Sequence, residues 1–297
     1  MVDKVLYQEK SMSGIFLMCA AVFCFTLIDS SAKWLATAGF LSLQVTFVRY
    51  LGHFCSSLII FWPKEKSKIL YSKRPYVQIV RAVILMVGTF FNFLALKFLS
   101  LNITVAIFFA APLVVSILSI LILGEKVPWK NFFAVLVGFL GVLLIIQPGR
   151  VGFQFEMFYS LIALFSASMY FILTRIVAKV DVNSVSQIYS SGIPTLLLLP
   201  FALYYWVWPS SYLELLAMAI MGLAATSGHS FTTVAHSWAK ASTLAPVIYV
   251  QLIFMTAISW LVFDHLPTSN TILGTIVIIL TGLYLLRLEK RSNIDFN

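Results

Sequence analysis

Apolar runs of about twenty residues follow one another along the whole chain, separated by short polar breaks. A bilayer core takes roughly 20 apolar residues per helix, and ten segments meet that length. They are approximately Gly14–Leu35, Leu43–Phe61, Val77–Phe98, Ile103–Leu123, Phe132–Ile146, Glu156–Lys179, Ser186–Val207, Leu213–Ala235, Ala245–Phe263 and Ile272–Leu288. The pattern predicts an all-α membrane protein with ten transmembrane helices. The stretch 14–28 followed by Ala36-Thr37-Ala38 has the outline of a cleavable leader. The run continues past Asp29 to Lys33 and Trp34, however, so it is expected to stay as the first helix.

The halves repeat. An offset of 142 pairs Ala21 with Ala163, Phe23 with Phe165 and Lys33 with Arg175. An offset of 143 pairs Gln44 with Gln187, and one of 140 pairs Gly88 with Gly228, Phe91 with Phe231 and Ala95 with Ala235. Glu125…Pro128 recurs as Asp264…Pro267. This divides the chain into copies at 13–147 and 156–288. Five helices per copy is an odd number, so the second copy is expected upside down relative to the first. Two inverted five-helix repeats are a plan of secondary transporters, whose site lies at the repeat interface near mid-membrane. A duplication that carries nothing is the alternative.

Composition agrees. Of 297 residues, 61% are hydrophobic and 10% charged, against roughly 25% charged in a soluble domain. Mean hydropathy is +0.97. A soluble enzyme, a disordered chain and a disulfide scaffold are excluded. The net charge of +9 sits in short loops, which argues against nucleic acid and for insertion by the positive-inside rule. With a cytoplasmic N-terminus, fourteen Lys and Arg face inward and two, Lys97 and Arg150, outward. Both termini are therefore expected in the cytoplasm. Trp34, Trp206, Trp208 and Trp260 then fall near the outer boundary, and Trp62, Trp129 and Trp238 near the inner one. Cys19, Cys24 and Cys55 lie in apolar runs without metal-ligand spacing, and read as small core residues.

Charges at bilayer depth are costly and mark candidate sites. Asp29 and Lys33 share a face of helix one, as Arg49 and His53 do on helix two. Arg49 sits roughly 10 Å from its helix end, near the depth of Asp29, so an Asp29–Arg49 pair is expected as a gate. With Lys33 these form a candidate gate or salt bridge. Structural pairing alone is the alternative, and His53 reads as a packed residue. Arg81, at the start of helix three, reads as an interface anchor. Asn92 needs a neighbouring helix or a ligand as partner. On helix eight, His229, Thr233 and His236 share a stripe that should line a cavity. Helix nine adds Tyr249 and Gln251, and Pro112 and Pro246 are candidate kinks or hinges. Tyr170 and Tyr189 are candidates for stacking on a flat ligand. Two histidines seven apart lack a third metal ligand.

No HExxH, GxSxG or phosphate-cradling loop occurs, and no carboxylate pair lies on one helix. No enzyme activity, metal or cofactor is expected. Transport would be driven by gradients or exchange, and Asp29 or the histidines are candidates for proton coupling.

Arg49 within FVRYLGHF, the GEKVPW stretch after helix four and the LILGEK ending together resemble the EamA branch of the drug/metabolite transporter superfamily, over residues 13–288. The second copy departs, reading VFDHLP around Asp264 with no preceding Gly. The resemblance implies a bundle in which helices one to four and six to nine line a central cavity, with five and ten peripheral. LIDSSAKWLA and QVTFVRYLGH are similar to bacterial members that import riboflavin or S-adenosylmethionine. The combined expectation is a secondary transporter of the bacterial inner membrane, taking up a small vitamin or nucleoside-like metabolite by alternating access. Export of amino acids or drugs is the alternative, and a non-transporting accessory protein a further one. Asp29, Arg49, Asn92, Tyr170, His229, Thr233, His236, Tyr249 and Gln251 are the expected substrate contacts. The partners are that metabolite and the lipid bilayer, with no nucleic acid. The sequence permits a homodimer without requiring one.

Overall fold

A computed structural model of the chain describes residues 11–99, 107–146, 154–263 and 269–294, and no strand occurs among them. The elements are α1 (Ser11–Thr37), α2 (Ser42–Glu65), a 3-10 turn (Lys66–Leu70), α3 (Pro75–Phe98), α4 (Ala111–Leu123), α5 (Trp129–Ile146), α6 (Met157–Val177), α7 (Asn183–Tyr204) and α8 (Tyr212–Trp238). The ninth segment is composite. It starts as α9 (Ala241–Leu244), tightens into a 3-10 turn (Ala245–Tyr249) and continues as α10 (Val250–Phe263). Then follows α11 (Ser269–Ile294).

The helix ends have local causes. Ser211 Oγ accepts from Glu214 N (3.2 Å), and the Glu214 carboxylate accepts from Ser211 N (3.3 Å), a capping box that starts α8. Gly124 ends α4 at φ 63°, a left-handed position that glycine adopts without steric cost. The chain therefore turns sharply, and Glu125 is aimed at the start of α9. It accepts from Ala241 N (3.1 Å), Ser242 N (3.1 Å) and Ser242 Oγ (2.7 Å). A carboxylate there meets unpaired N–H groups and the positive end of the helix.

Six described segments are long and apolar enough to cross a bilayer: Ser11–Thr37, Ser42–Leu70, Pro75–Phe98, Met157–Val177, Tyr212–Trp238 and Ala241–Ile258. Ala111–Leu123, Trp129–Leu144 and Ile272–Thr281 are shorter apolar helices. The chain is all-helical among the described residues, as the apolar runs predict, with six full-length candidate spans and three shorter apolar helices. α7 has 22 residues, but Ser184, Ser186, Gln187, Ser190 and Ser191 lower its hydropathy, and all five are buried. In the fourth segment Ile107 and Phe108 are helical, a turn follows at 109–110, and α4 continues from Ala111 with Pro112 in its first turn, while Ile103 lies outside the described residues. Pro112 thus stands just after an interruption of the fourth segment. Pro246 opens the 3-10 turn and does interrupt the ninth segment. Arg150, Trp260 and Asp264…Pro267 lie outside the described residues or side chains.

The bundle is apolar outside and polar within. Phe16, Ile59, Leu121, Leu196 and Leu203 are exposed, while Gln44, His53, Gln78 and Arg81 are buried. Lipid accepts the former, and helix–helix hydrogen bonds satisfy the latter. α1 packs on α8, α3 on α6, and α2 on α7 and α8, with α5 against α11. At the α2–α8 crossing, a Cβ on Gly52 would stand 2.8 Å from Gly222 Cα. The bare backbones let the Ser56 and Thr226 hydroxyls meet.

Candidate functional site: a cavity among α1, α2, α3, α6, α8 and the ninth segment

A cavity of about 180 Å³ lies between these helices. Its polar lining includes Asp29, Lys33, Arg49, Thr89, Asn92, His229 and Gln251. Phe25, Phe93, Phe108, Phe109, Tyr170 and Phe171 supply aromatic walls. Asp29, Lys33, Asn92 and Leu96 lie toward the C-terminal ends of α1 and α3, so the cavity occupies that half of the bundle.

Its polar groups are braced by neighbours. Gln251 Nε2 donates to Asp29 Oδ2 at 2.9 Å. Arg49 donates from Nη1 to Thr89 Oγ1 (3.0 Å) and from Nη2 to His229 Nε2 (2.7 Å). A guanidinium only donates, so His229 Nε2 accepts and the ring proton sits on Nδ1. Nδ1 therefore donates to the Tyr170 hydroxyl, 2.8 Å away. His53 stacks parallel on His229 with centroids 5.3 Å apart, and its Nε2 donates to Gln187 Oε1 at 3.0 Å. The Asn92 amide has no hydrogen-bond partner among the described residues.

Below the cavity the bundle is sealed by a residue that sequence reasoning misplaced. Arg81 is fully buried and not an interface anchor. Nε donates to Thr174 Oγ1 (2.8 Å). Nη1 donates to Gln78 Oε1 (3.1 Å), Ser190 Oγ (2.8 Å) and Ser186 O (3.3 Å). Nη2 donates to the Tyr170 hydroxyl (3.0 Å) and Thr233 Oγ1 (3.4 Å). Every donor is taken up by a neutral acceptor, from α3, α6, α7 and α8. Tyr170 joins this hub to His229 and Arg49. Farther toward the same end, Asp181 accepts from Ser72 Oγ (2.6 Å), Lys73 N (2.8 Å) and Gln78 Nε2 (2.9 Å). Arg175 Nε stands 3.8 Å from Glu125 Oε1, and its Nη1 donates to the His236 carbonyl.

The expected contacts divide. Asp29, Lys33, Arg49, Asn92, Tyr170, His229 and Gln251 line the cavity; Thr233, His236 and Tyr249 do not. The helix-eight stripe rotates away after His229. Thr233 accepts from Arg81 and Gln187. His236 bonds the Thr232 carbonyl through Nδ1 (2.9 Å) and stacks on Phe171. Tyr249 donates to the Val135 carbonyl (3.1 Å) and ties the ninth segment to α5. Tyr189 donates to the Leu70 carbonyl, away from the cavity. Asp29 and Arg49 share the cavity without a direct ion pair. Arg81 was legible in one respect: an arginine six residues inside α3 stands roughly 9 Å deep, and serine-rich α7 carries acceptors that need a donor.

The model of the EamA-like transporter family matches residues 12–147 and 154–288. The chain is 28% identical over 284 residues to an S-adenosylmethionine uptake transporter of Rickettsia prowazekii (strain Madrid E), covering 95% of each chain. It is 24% identical over 289 residues to the pseudopaline exporter CntI of Pseudomonas aeruginosa, covering 94% of this chain and 97% of that one. It is 23% identical over 292 residues to a riboflavin transporter of Vibrio cholerae, covering 96% and 97%. A solved crystal structure shares the fold with a TM-score of 0.75, over 95% of this chain and 99% of that one, at 17% identity. With several membrane-crossing helices and two family matches that together span almost its whole length, the chain is a multi-pass membrane protein and belongs to the EamA-like transporter family.

Proposed function

We propose that the chain is a secondary transporter, not an enzyme, that takes up a small metabolite of the S-adenosylmethionine or riboflavin type. The observation that carries this reading is the cavity itself. Asp29, Arg49, Asn92, His229 and Gln251, from five different segments, converge on it between aromatic walls. The S-adenosylmethionine uptake relatives, similar over most of the chain, support the substrate class.

Alternating access between two inverted repeats, 13–147 and 156–288, is the mechanism we assign. Paired close contacts favour it. A Cβ on Gly88 of α3 would stand 2.9 Å from Ser166 Cβ of α6, and one on Gly228 of α8 would stand 3.0 Å from Cys24 Cβ of α1. Gly88 and Gly228 are 140 apart, and Cys24 and Ser166 are 142 apart, as two copies of one unit require. A cavity at one end and a sealed hub at the other is the geometry of a state open to one side. With both termini in the cytoplasm of a bacterial inner membrane, that side is the outside. Opening the other side means breaking the Arg81 hub and re-closing around Asp29 and Lys33.

Export is the second reading, favoured by the similarity to the pseudopaline exporter. Counterflow in proteoliposomes tests carriage, using labelled S-adenosylmethionine, riboflavin and amino acids. Uptake by cells against uptake by inverted vesicles tests direction. Accumulation of one compound, lost in Arg49→Ala, is expected. Flat traces for every compound, from protein shown to be folded, would overturn the carrier reading.

A further inference from the structure

Asp29 of α1 and Arg49 of α2 carry opposite charges and line the same cavity, yet each is hydrogen-bonded by neutral groups. Asp29 accepts from Gln251, and Arg49 donates to Thr89 and His229. A carboxylate offers about four lone-pair sites and a guanidinium five N–H groups, so both retain unused capacity. A direct pair would quench both charges. Kept apart, they leave a positive and a negative anchor around one space, whose lining also includes Lys33, one turn from Asp29 on α1. Asn92 adds an amide without a partner among the described residues, with aromatic faces beside it.

We infer that the cavity selects a zwitterion: a ligand with an α-amino-acid headgroup, whose carboxylate docks on Arg49 and whose ammonium docks on Asp29, joined to a flat or onium body that lies against the aromatic rings. The inference rests on the carrier reading and narrows it. It separates compounds that reading leaves together, because riboflavin has no such headgroup. Partly desolvated charges are costly unless paired, so a neutral ligand would leave both anchors unmet. An onium centre gains further from phenyl and phenol faces.

The test is a ligand series on the purified, folded protein. S-adenosylmethionine and S-adenosylhomocysteine both carry the headgroup, decarboxylated S-adenosylmethionine lacks the carboxylate, and 5′-methylthioadenosine lacks the whole headgroup. The first two should bind, and the last two should bind tenfold or more weakly, roughly the loss of a charged hydrogen bond. Arg49→Gln should abolish the difference between S-adenosylmethionine and its decarboxylated form. Asp29→Asn should abolish the preference for S-adenosylhomocysteine over its deaminated analogue. The wild-type series decides the matter even if the variants do not fold. Equal binding of methylthioadenosine and S-adenosylhomocysteine, or no binding by any zwitterion, would overturn the inference. Flux is read separately. Headgroup-dependent binding without counterflow sinks the carrier reading and supports the zwitterion site. Riboflavin counterflow without headgroup dependence does the reverse.

Discussion

Arg49 Nη2 and His229 Nε2 stand 2.7 Å apart, which makes His229 an acceptor toward the cavity and a donor toward Tyr170. The ring converts a guanidinium contact on α2 into a phenol contact on α6. Because Tyr170 also accepts from Arg81, two buried cations are joined through neutral groups.

His229→Gln should therefore be milder than His229→Leu. An amide can still accept from Arg49 and donate to Tyr170, whereas leucine leaves both unpaired. The leucine variant should lose about 1–3 kcal/mol per orphaned group. Thermal unfolding in detergent reads the stability and counterflow reads the rate. Equal effects of the two substitutions would contradict the bridging role.

Arg81 closes the end opposite the cavity. Arg81→Met leaves Thr174, Ser190 and Gln78 without the guanidinium donor and Tyr170 with only one of its two, and should loosen the seal among α3, α6, α7 and α8. With Cys19, Cys24 and Cys55 replaced, Ser190→Cys should react slowly with an impermeant maleimide. Adding Arg81→Met should make it react faster from the membrane face opposite the cavity. Unchanged labelling of folded protein would remove Arg81 from the seal.

Glu125 and Arg175 couple two helix ends. Glu125→Gln loses the charge at the α9 N-terminus and should cost about 1–2 kcal/mol. Arg175→Met should cost a similar amount. The double variant should be less than additive by about 0.5 kcal/mol or more, since the two are in contact. Full additivity in thermal unfolding would mean the pair does not interact.

The Gly52–Gly222 crossing admits no side chain. Gly52→Ala drives a Cβ into the Gly222 backbone and should force α2 and α8 apart, at about 1–3 kcal/mol. It should also separate Ser56 from Thr226. Gly39→Ala, by contrast, meets no neighbour, although its φ of 97° still carries strain. A larger fall in melting temperature for Gly39→Ala than for Gly52→Ala would contradict the packing account.

Helix count and approximate placement were readable because lipid imposes a length and a composition on each span. Asp29, Arg49, Asn92 and His229 were readable as cavity residues because a charge or amide at depth is expensive anywhere else. Arg81 was not. Position near a helix start suggests snorkelling, and only the neighbouring hydroxyls of α6, α7 and α8 make burial affordable. Thr233, His236 and Tyr249 were assigned to the cavity from helical spacing. Spacing says which residues share a face and nothing about how that face is rotated in the bundle.

The linear pattern of apolar runs thus determined the membrane class, since solvent and insertion act on each segment separately, and the FVRYLGHF, LILGEK and GEKVPW stretches carried the family resemblance. Which polar side chains line the cavity, and which are buried beyond it, was decided only by tertiary packing. Hydrogen bonds inside lipid are made between helices far apart in sequence, such as Arg49 with His229 and Arg81 with Thr174. No local rule records which helix will stand beside which.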